Sequence, residues 1–298
     1  MKIRIGFGLG TRTLTNDAAS FGPFVDTLER LRFDSLWLSE QLTGDAPDPL
    51  VALAFAAGRT ERLKLGTSVL VVPGRNPVVL AKELASLDRL SDGRLLPAMG
   101  LGAPNPVEHR AFGVERKERS GWFDEALALM RRLWSEDDVH HRGPRFEVAG
   151  VTLRPKPVQD PIEVWLGGNS PSELRRTGRL GDGWLPSFCT VADVRNGWPV
   201  ITEVAAEHGR EIDPEHLGAL VAYSKAAVPD LVTALIARRR PDVDATEVIP
   251  VGLPALRERL EAMAEVGASK FVVVPLDEPA DWVAELEAIA GPLLPLQN

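Results

Sequence analysis

The chain has 298 residues, of which 44% are hydrophobic and 26% charged, with a formal net charge of −8 and one cysteine, Cys189. An acidic surface repels a phosphate backbone, which argues against nucleic acid as a partner. No apolar run is long enough to cross a bilayer, and a lone cysteine excludes an intrachain disulfide or a Cys-x-x-Cys metal site.

The start, Met1-Lys2-Ile3-Arg4-Ile5-Gly6, lacks the apolar core of a signal peptide and reads as a strand, so a cytoplasmic protein with no membrane partner is expected. From there, β-rich runs alternate with amphipathic segments. Strands are predicted over 3–9, 35–39, 63–70 and 94–102, with helices over 21–31, 50–58 and 77–90 between them. A long helix over 119–134 follows, because Trp122, Phe123, Ala126, Leu127, Met130 and Leu133 recur at helical spacing. Further strands over 162–166, 183–188, 217–223 and 270–274 alternate with helices over 171–180, 191–208, 231–239 and 254–265, and a helix over 280–290 closes the chain. Residues 139–156 break the alternation. They combine β-type and turn residues without helical period, which predicts a hairpin inserted after the fourth strand and placed over the active site. Strands separated by helices in this way fit a closed parallel α/β barrel, a single domain over 1–298. An open doubly wound sheet satisfies the same count and the same crossover handedness.

The strongest local signal is Trp165-Leu166-Gly167-Gly168-Asn169-Ser170-Pro171-Ser172-Glu173. A strand ends at the glycines and a helix begins, with Ser170 suited to the N-cap, Pro171 to the first helical position and Glu173 to a capping box. The two glycines let an anion approach backbone N–H groups at the positive end of the helix. A well-capped turn with no ligand accounts for the same residues. Gly6-Phe7-Gly8-Leu9-Gly10 resembles a dinucleotide fingerprint, but Thr11 and Thr13 stand where the spacing needs glycine, so the run reads as a barrel strand whose small residues leave room for a ligand. Gly66-Thr67-Ser68-Val69 can form a pocket floor or plain core. Glu40 and Gln41 end the second strand, where barrels carry their catalytic side chains; Glu40 is able to act as acid or base, Gln41 only to orient a ligand. His140 and His141 point to opposite faces of a strand, and His109, His208 and His216 fall in unrelated segments, so no metal site is expected. Arg238-Arg239-Arg240 precedes Pro241 at a helix end, where positive charge complements the helix dipole.

Taken together, Phe33-Asp34-Ser35-Leu36-Trp37-Leu38-Ser39-Glu40, Leu65-Gly66-Thr67-Ser68-Val69, Asn76-Pro77, Leu87-Asp88-Arg89-Leu90-Ser91-Asp92-Gly93-Arg94, Pro155-Lys156-Pro157, the run from Ile162 to Gly168 and Arg179-Leu180-Gly181-Asp182-Gly183-Trp184 resemble the bacterial luciferase-like superfamily, and nearly the whole chain is covered. Thr67-Ser68-Val69 and the Gly167–Pro171 turn bring it nearest the branch that uses the deazaflavin coenzyme F420. The resemblance implies a (β/α)8 TIM barrel, a homodimer, and a cis Ser68–Val69 peptide whose bulge backs the cofactor ring. It implies a phosphate held at Gly167, Gly168, Asn169 and Ser170, and it places Glu40, Gln41, Ser68, Val69, Leu101 and Gly102 at the cofactor. Two positions depart from the pattern: Gln41 stands where histidine is common, and Ala103 where sugar-phosphate dehydrogenases carry a carboxylate. The acid/base pair of those dehydrogenases is therefore absent, and the proton donor is unassigned.

The function implied is hydride transfer between F420 and a small organic substrate with a C=C, C=N or C=O bond, in either direction. The alternatives are an FMN-dependent luciferase-like monooxygenase and a non-catalytic protein that binds flavin or deazaflavin.

Overall fold

In a computed structural model, residues 2–10 and 17–298 are described; Thr11 and Thr13, which break the dinucleotide spacing, lie outside the described residues. The first half of the chain runs β1 (Arg4–Gly10), α1 (Ala18–Leu31), β2 (Ser35–Leu38), α2 (Pro49–Ala57), β3 (Lys64–Val71), α3 (Pro77–Leu90), β4 (Leu95–Gly100), α4 (Pro106–Ala111) and α5 (Arg119–Ser135). The hairpin β5 (Val139–Arg142) and β6 (Glu147–Val151) follows. Then come β7 (Trp165–Leu166), α6 (Pro171–Leu180), β8 (Gly183–Trp184), α7 (Val191–Glu207), β9 (Gly218–Tyr223), α8 (Asp230–Arg239), α9 (Ala245–Val248), α10 (Gly252–Glu265), β10 (Lys270–Pro275) and α11 (Trp282–Leu293).

Eight parallel strands lie in the order β8-β7-β4-β3-β2-β1-β10-β9. Parallel bridges from Trp184 to Leu217 and from Ser187 to Leu220 join the two ends of that order, so the sheet is a barrel and not an open doubly wound layer. Several helices that follow strands begin by one repeated device, a capping side chain followed by proline. Asp48 accepts from the N–H groups of Leu50 and Val51 ahead of α2, Asn76 from Val78 and Val79 ahead of α3, and Asn105 from Val107 ahead of α4.

The barrel interior is filled by side chains. Trp37, Leu96, Ala98, Trp165, Leu185, Val272 and Val274 form one buried cluster. The glycines of neighbouring strands face the two rings: a Cβ on Gly66 would lie 2.3 Å from the Trp37 ring, and one on Gly183 would lie 2.5 Å from the Trp165 ring. This corrects the expectation for β1. A Cβ on Gly6 would lie 2.8 Å from Trp37 Nε1, and one on Gly8 would lie 2.7 Å from Val274, so the small residues of β1 make room for core side chains rather than for a ligand. Phe7 points outward instead, edge-on to Phe24, Phe33 and Trp282.

The hairpin forms as predicted, but its placement differs. It leaves the carboxyl end of α5 and folds back along that helix, with His141 Nε2 3.0 Å from Glu125 Oε1 and the Phe146 ring edge-on to Trp122. It therefore packs on the barrel wall and does not roof the mouth. The short helices α4 and α9 carry no helical period long enough to be seen in the sequence and were not expected.

Two of the resembling segments act as clamps. Asp88 accepts from the N–H groups of Val158 and Gln159 and from the Gln159 amide, tying α3 to the segment ahead of β7. Asp182 accepts from Arg131, Arg210 and the Val164 N–H, tying α5 to the strand pair β7–β8. At the amino end of the barrel, Lys270 is buried with its Nζ 3.2 Å from Asp34. Burial pushes the Lys270 ammonium down to about 8, with the Asp34 charge opposing. Burial also works against ionisation of Asp34, but Lys270 and Lys64 outweigh it and hold that carboxyl below its ordinary value. Removing one member of such a pair leaves the other charge buried and alone. Asp34→Asn is therefore expected to lower unfolding free energy by about 3 kcal/mol, and the double variant Asp34→Asn with Lys270→Met to recover much of that loss, as read by denaturant unfolding.

Candidate functional site

The mouth of the barrel is shaped by a bulge in β3. The pairing of β3 with β4 shifts between Ser68 and Leu70, and the Ser68–Val69 peptide is cis. The end of β2 holds this bulge on both sides. Ser39 Oγ donates to the Ser68 carbonyl at 2.7 Å, the Glu40 N–H donates to the Val69 carbonyl at 3.2 Å, and the Glu40 carboxylate accepts from the Val71 N–H at 2.6 Å. The same carboxylate pairs with Arg75. Burial raises the Glu40 carboxyl above its usual value, while Arg75 and the Val71 N–H pull it back. Glu40 is thus fully engaged in fixing the backbone that carries Ser68 and Val69.

Val69 projects over the tryptophan-filled interior toward the next strands. A Cβ on Gly100 would meet it at 2.7 Å, and one on Gly167 at 3.8 Å. Above it opens a cavity of about 330 Å³ bounded by Ser68, Val69, Gly100, Leu101, Gly102, Ala103, Phe123, Gly167, Gly168, Ser187 and Leu220, with Glu173, Arg176 and Arg239 as its charged walls. That volume and mixed lining suit a small organic ligand with one anionic group. An adjoining groove of about 300 Å³ shares Gly168, Glu173, Ser187 and Arg239 and adds Asn169, Phe188 and Leu235.

The glycine turn connects the two. The Gly168 carbonyl accepts from Trp184 Nε1 at 2.7 Å, and the Ser170 N–H donates to Glu173 Oε2 at 2.9 Å, as a capping box requires. Gly168 has φ +85°, and a Cβ there would lie 2.4 Å from the Glu173 carboxyl carbon, so only glycine suits this position. Among the described residues, no protein acceptor takes the N–H of Gly168 or of Asn169. Asn169 Nδ2 lies 3.3 Å from the sulfur of Cys189, whose thiol burial pushes up to about 12, so the cysteine stays protonated and inert.

The structure brings Ser68, Val69, Leu101, Gly102, Gly167 and Gly168 onto one cavity and Asn169 onto the adjoining groove. Ser170 stands behind the turn as the helix cap. Glu40 and Gln41 line neither space; Glu40 is bound to Arg75, and Gln41 is exposed on its loop. Sequence reasoning does not single out Arg176 or Arg239, which the structure places at the cavity. Arg176 lies three residues after Glu173 and shares its helix face, a signal present in the spacing; Asp124 and Ser120 fix its guanidinium. Of the basic run, Arg240 is bound by Asp193 and Asp242. Arg239 turns into the mouth, and nothing in its local sequence distinguishes it from its neighbours.

Residues 2–240 match the luciferase-like monooxygenase family, and the chain belongs to that family. It is 38% identical over 184 residues to the F420-dependent glucose-6-phosphate dehydrogenase of Intrasporangium calvum, a match covering 56% of this chain. The chain spans about half that relative's length, 55%. It is 31% identical over 278 residues to the protein of the same description from Beutenbergia cavernae, covering 87% of this chain and 80% of the other. Among solved structures, an F420-dependent secondary alcohol dehydrogenase in complex with an F420–acetone adduct superposes with a TM-score of 0.82 at 18% identity, covering 100% of both chains, which shows a shared fold.

One further clamp borders the mouth. Glu108 on α4 is buried and accepts from the N–H groups of Leu42 and Thr43 and from the Thr43 hydroxyl, tying the loop after β2 to α4. Burial works against its ionisation, but these hydrogen bonds hold its pKa below the ordinary 4.5. A depressed carboxyl stabilises the fold above its unfolded pKa and loses that contribution as pH falls through the folded one. Amide protection factors of Leu42 and Thr43 are expected to be steady above about pH 5 and to fall below about pH 4. In Glu108→Gln they should be lower and show no such step.

Proposed function

We propose that the chain is a hydride-transferring oxidoreductase that uses coenzyme F420 on a small organic substrate. The observation that carries this reading is a single cavity floored by the Ser68–Val69 bulge and walled by the Gly167–Gly168 turn. The first offers a flat, half-apolar backing for a ring, and the second offers free N–H groups and a helix start for a phosphate. The fit lies in the backbone of the turn, where the Gly168 and Asn169 N–H groups lack protein acceptors among the described residues.

When bound, the deazaflavin supplies the hydride or accepts it. The protein's part is placement. Val69, seated on the Trp37 and Trp165 cluster, sets the depth at which a ring rests. Ser39 and Glu40 hold the bulge rigid, and Arg176, fixed by Asp124, brings positive charge beside the turn. Phe123, Leu185 and Leu220 exclude water from the cavity floor.

The relatives from Intrasporangium and Beutenbergia are described as acting on glucose 6-phosphate. For this chain we favour a less polar substrate, because Ala103 presents a methyl group to the cavity at the position where the resemblance expects a carboxylate. Glu40 is engaged with Arg75 and stands outside the cavity, so it does not serve as the missing acid or base.

Binding titration by absorbance or fluorescence is expected to show F420 binding, with FMN bound more weakly. Tight FMN binding without F420 binding would overturn the reading in favour of a flavin monooxygenase. Gly168→Val forces a β-branched residue into the left-handed region against Glu173. It should weaken F420 binding about tenfold or more in protein whose circular dichroism shows it folded.

A further inference from the structure

At the amino end of the barrel lies a separate cavity of about 250 Å³, bounded by Arg4, Lys64, Leu96, Trp165 and Lys270. Strand alternation puts the basic residues there. Gly6, Gly66 and Val272 face the barrel interior, and a side chain two residues earlier on a strand shares its face. Those earlier residues are Arg4, Lys64 and Lys270, the first of β1, β3 and β10. The cavity grades from donors inside to acceptors outside. Its inner end holds Lys270, whose side chain is 5% exposed, and Trp165, which is fully buried. The Trp165 Nε1–H has no acceptor among the described residues. Asp34 takes one of the three N–H groups of the Lys270 ammonium, and no other side chain or carbonyl among the described residues takes the rest. Asp34 is itself shared, accepting from the Ser35 hydroxyl and lying 3.7 Å from Lys64. The carboxylates of the cavity stand at its outer edge and are already engaged. Glu163, 37% exposed, lies 3.4 Å from His216; Glu215, 36% exposed, is paired with Arg4; and Asp213 accepts from the Glu215 N–H. Burial is the first cause of the lowered Lys270 value, and Asp34 opposes it, but Lys64 and Arg4 lower it further, so positive charge is crowded at this end.

We infer that this cavity binds one small oxyanion, of the size of phosphate or sulfate. Its oxygens accept from Trp165 Nε1 and Lys270 Nζ, and Lys64 and Arg4 add positive charge from the rim. A buried donor without an acceptor is costly, and an ionised acceptor between an indole N–H and an ammonium makes charge-assisted hydrogen bonds to both. The volume lies below the about 300 Å³ at which pockets for larger organic ligands begin. The site is independent of the F420 reading, since none of its residues lines the mouth cavity. Its consequence is structural: Trp165 belongs to the cluster against which Val69 packs, and an ion bound only by the folded chain stabilises that packing from the far end.

The test titrates the full chain, carrying 15N-labelled tryptophan, with inorganic phosphate, and with sodium chloride at matched ionic strength. The chain has seven tryptophans, and Trp165→Phe identifies the indole signal of Trp165. Should that variant not fold, Overhauser contacts to the neighbouring His216 ring identify it instead. The Trp165 indole signal is expected to move saturably with phosphate and not with chloride. The Trp184 indole, bonded to the Gly168 carbonyl, reports phosphate at the glycine turn and separates the two ends of the barrel. Lys64→Gln, at a part-exposed position, should weaken the affinity read at Trp165 about fivefold and leave the response of Trp184 unchanged. Phosphate should also raise the melting temperature of wild type more than that of Lys64→Gln. A Trp165 signal that phosphate leaves unmoved, an equal shift in chloride, or wild-type affinity in Lys64→Gln would overturn the site.

Discussion

Two indole rings set the depth of everything above them. Trp37 and Trp165 are both fully buried inside the barrel, and the strands close around them because glycine faces each ring at Gly66 and Gly183. An interior packed to this degree leaves no channel. At the carboxyl end, Val69 and Leu220 rest on the filled interior and form the floor of the mouth cavity. A larger residue at Gly66 or Gly183 would displace a tryptophan and shift that floor, so the position of the cavity is a consequence of core packing far from it. The same packing explains the glycines of β1, whose resemblance to a nucleotide fingerprint is a by-product of fitting beside Trp37.

On that floor, rigidity is local and comes from β2. Ser39 and Glu40 bond three successive peptide units of the bulge, through a hydroxyl, a backbone N–H and a carboxylate. Arg75 neutralises the carboxylate that does this, and Asp48 stands next to Arg75. A group so committed is a poor proton carrier: releasing it for acid–base work would free the backbone it holds. The arrangement explains how a glutamate at a strand end, the place where barrels keep their catalytic groups, serves positioning instead.

The fold was legible because its signals are local. Alternating runs marked all eight barrel strands, and the Ser170-Pro171 pair marked a helix start. The segments that carried the family resemblance are in large part clamps, such as Asp88 on the Val158–Gln159 backbone and Asp182 between Arg131 and Arg210. They report architecture more strongly than chemistry. The hairpin was legible as a hairpin but not in its direction. Its course along α5 is set by Glu125, Trp122 and His141 meeting across the packed structure, and no spacing in the sequence encodes that encounter. Of the mouth, the glycine turn and the bulge were visible because backbone geometry restricts which residues fit there. Arg239 was not, because its role depends on where α8 crosses the barrel end.

This difference bears on how the mouth handles charge. The glycine turn offers an anion two N–H groups and a helix start, all of them fixed, but it also carries Glu173, whose carboxylate is needed to cap that helix. An anion seated at the turn therefore meets a negative neighbour that cannot be removed without loosening the turn itself. Arg176, held by Asp124 and Ser120, supplies a fixed positive charge from the same helix, yet much of its field is spent on Asp124. Arg239 comes from another helix and has no ion pair among the described residues, so it is free to turn toward such an anion and restore the balance. The turn thus defines where an anion sits, while the net attraction for it depends on a residue contributed from across the mouth.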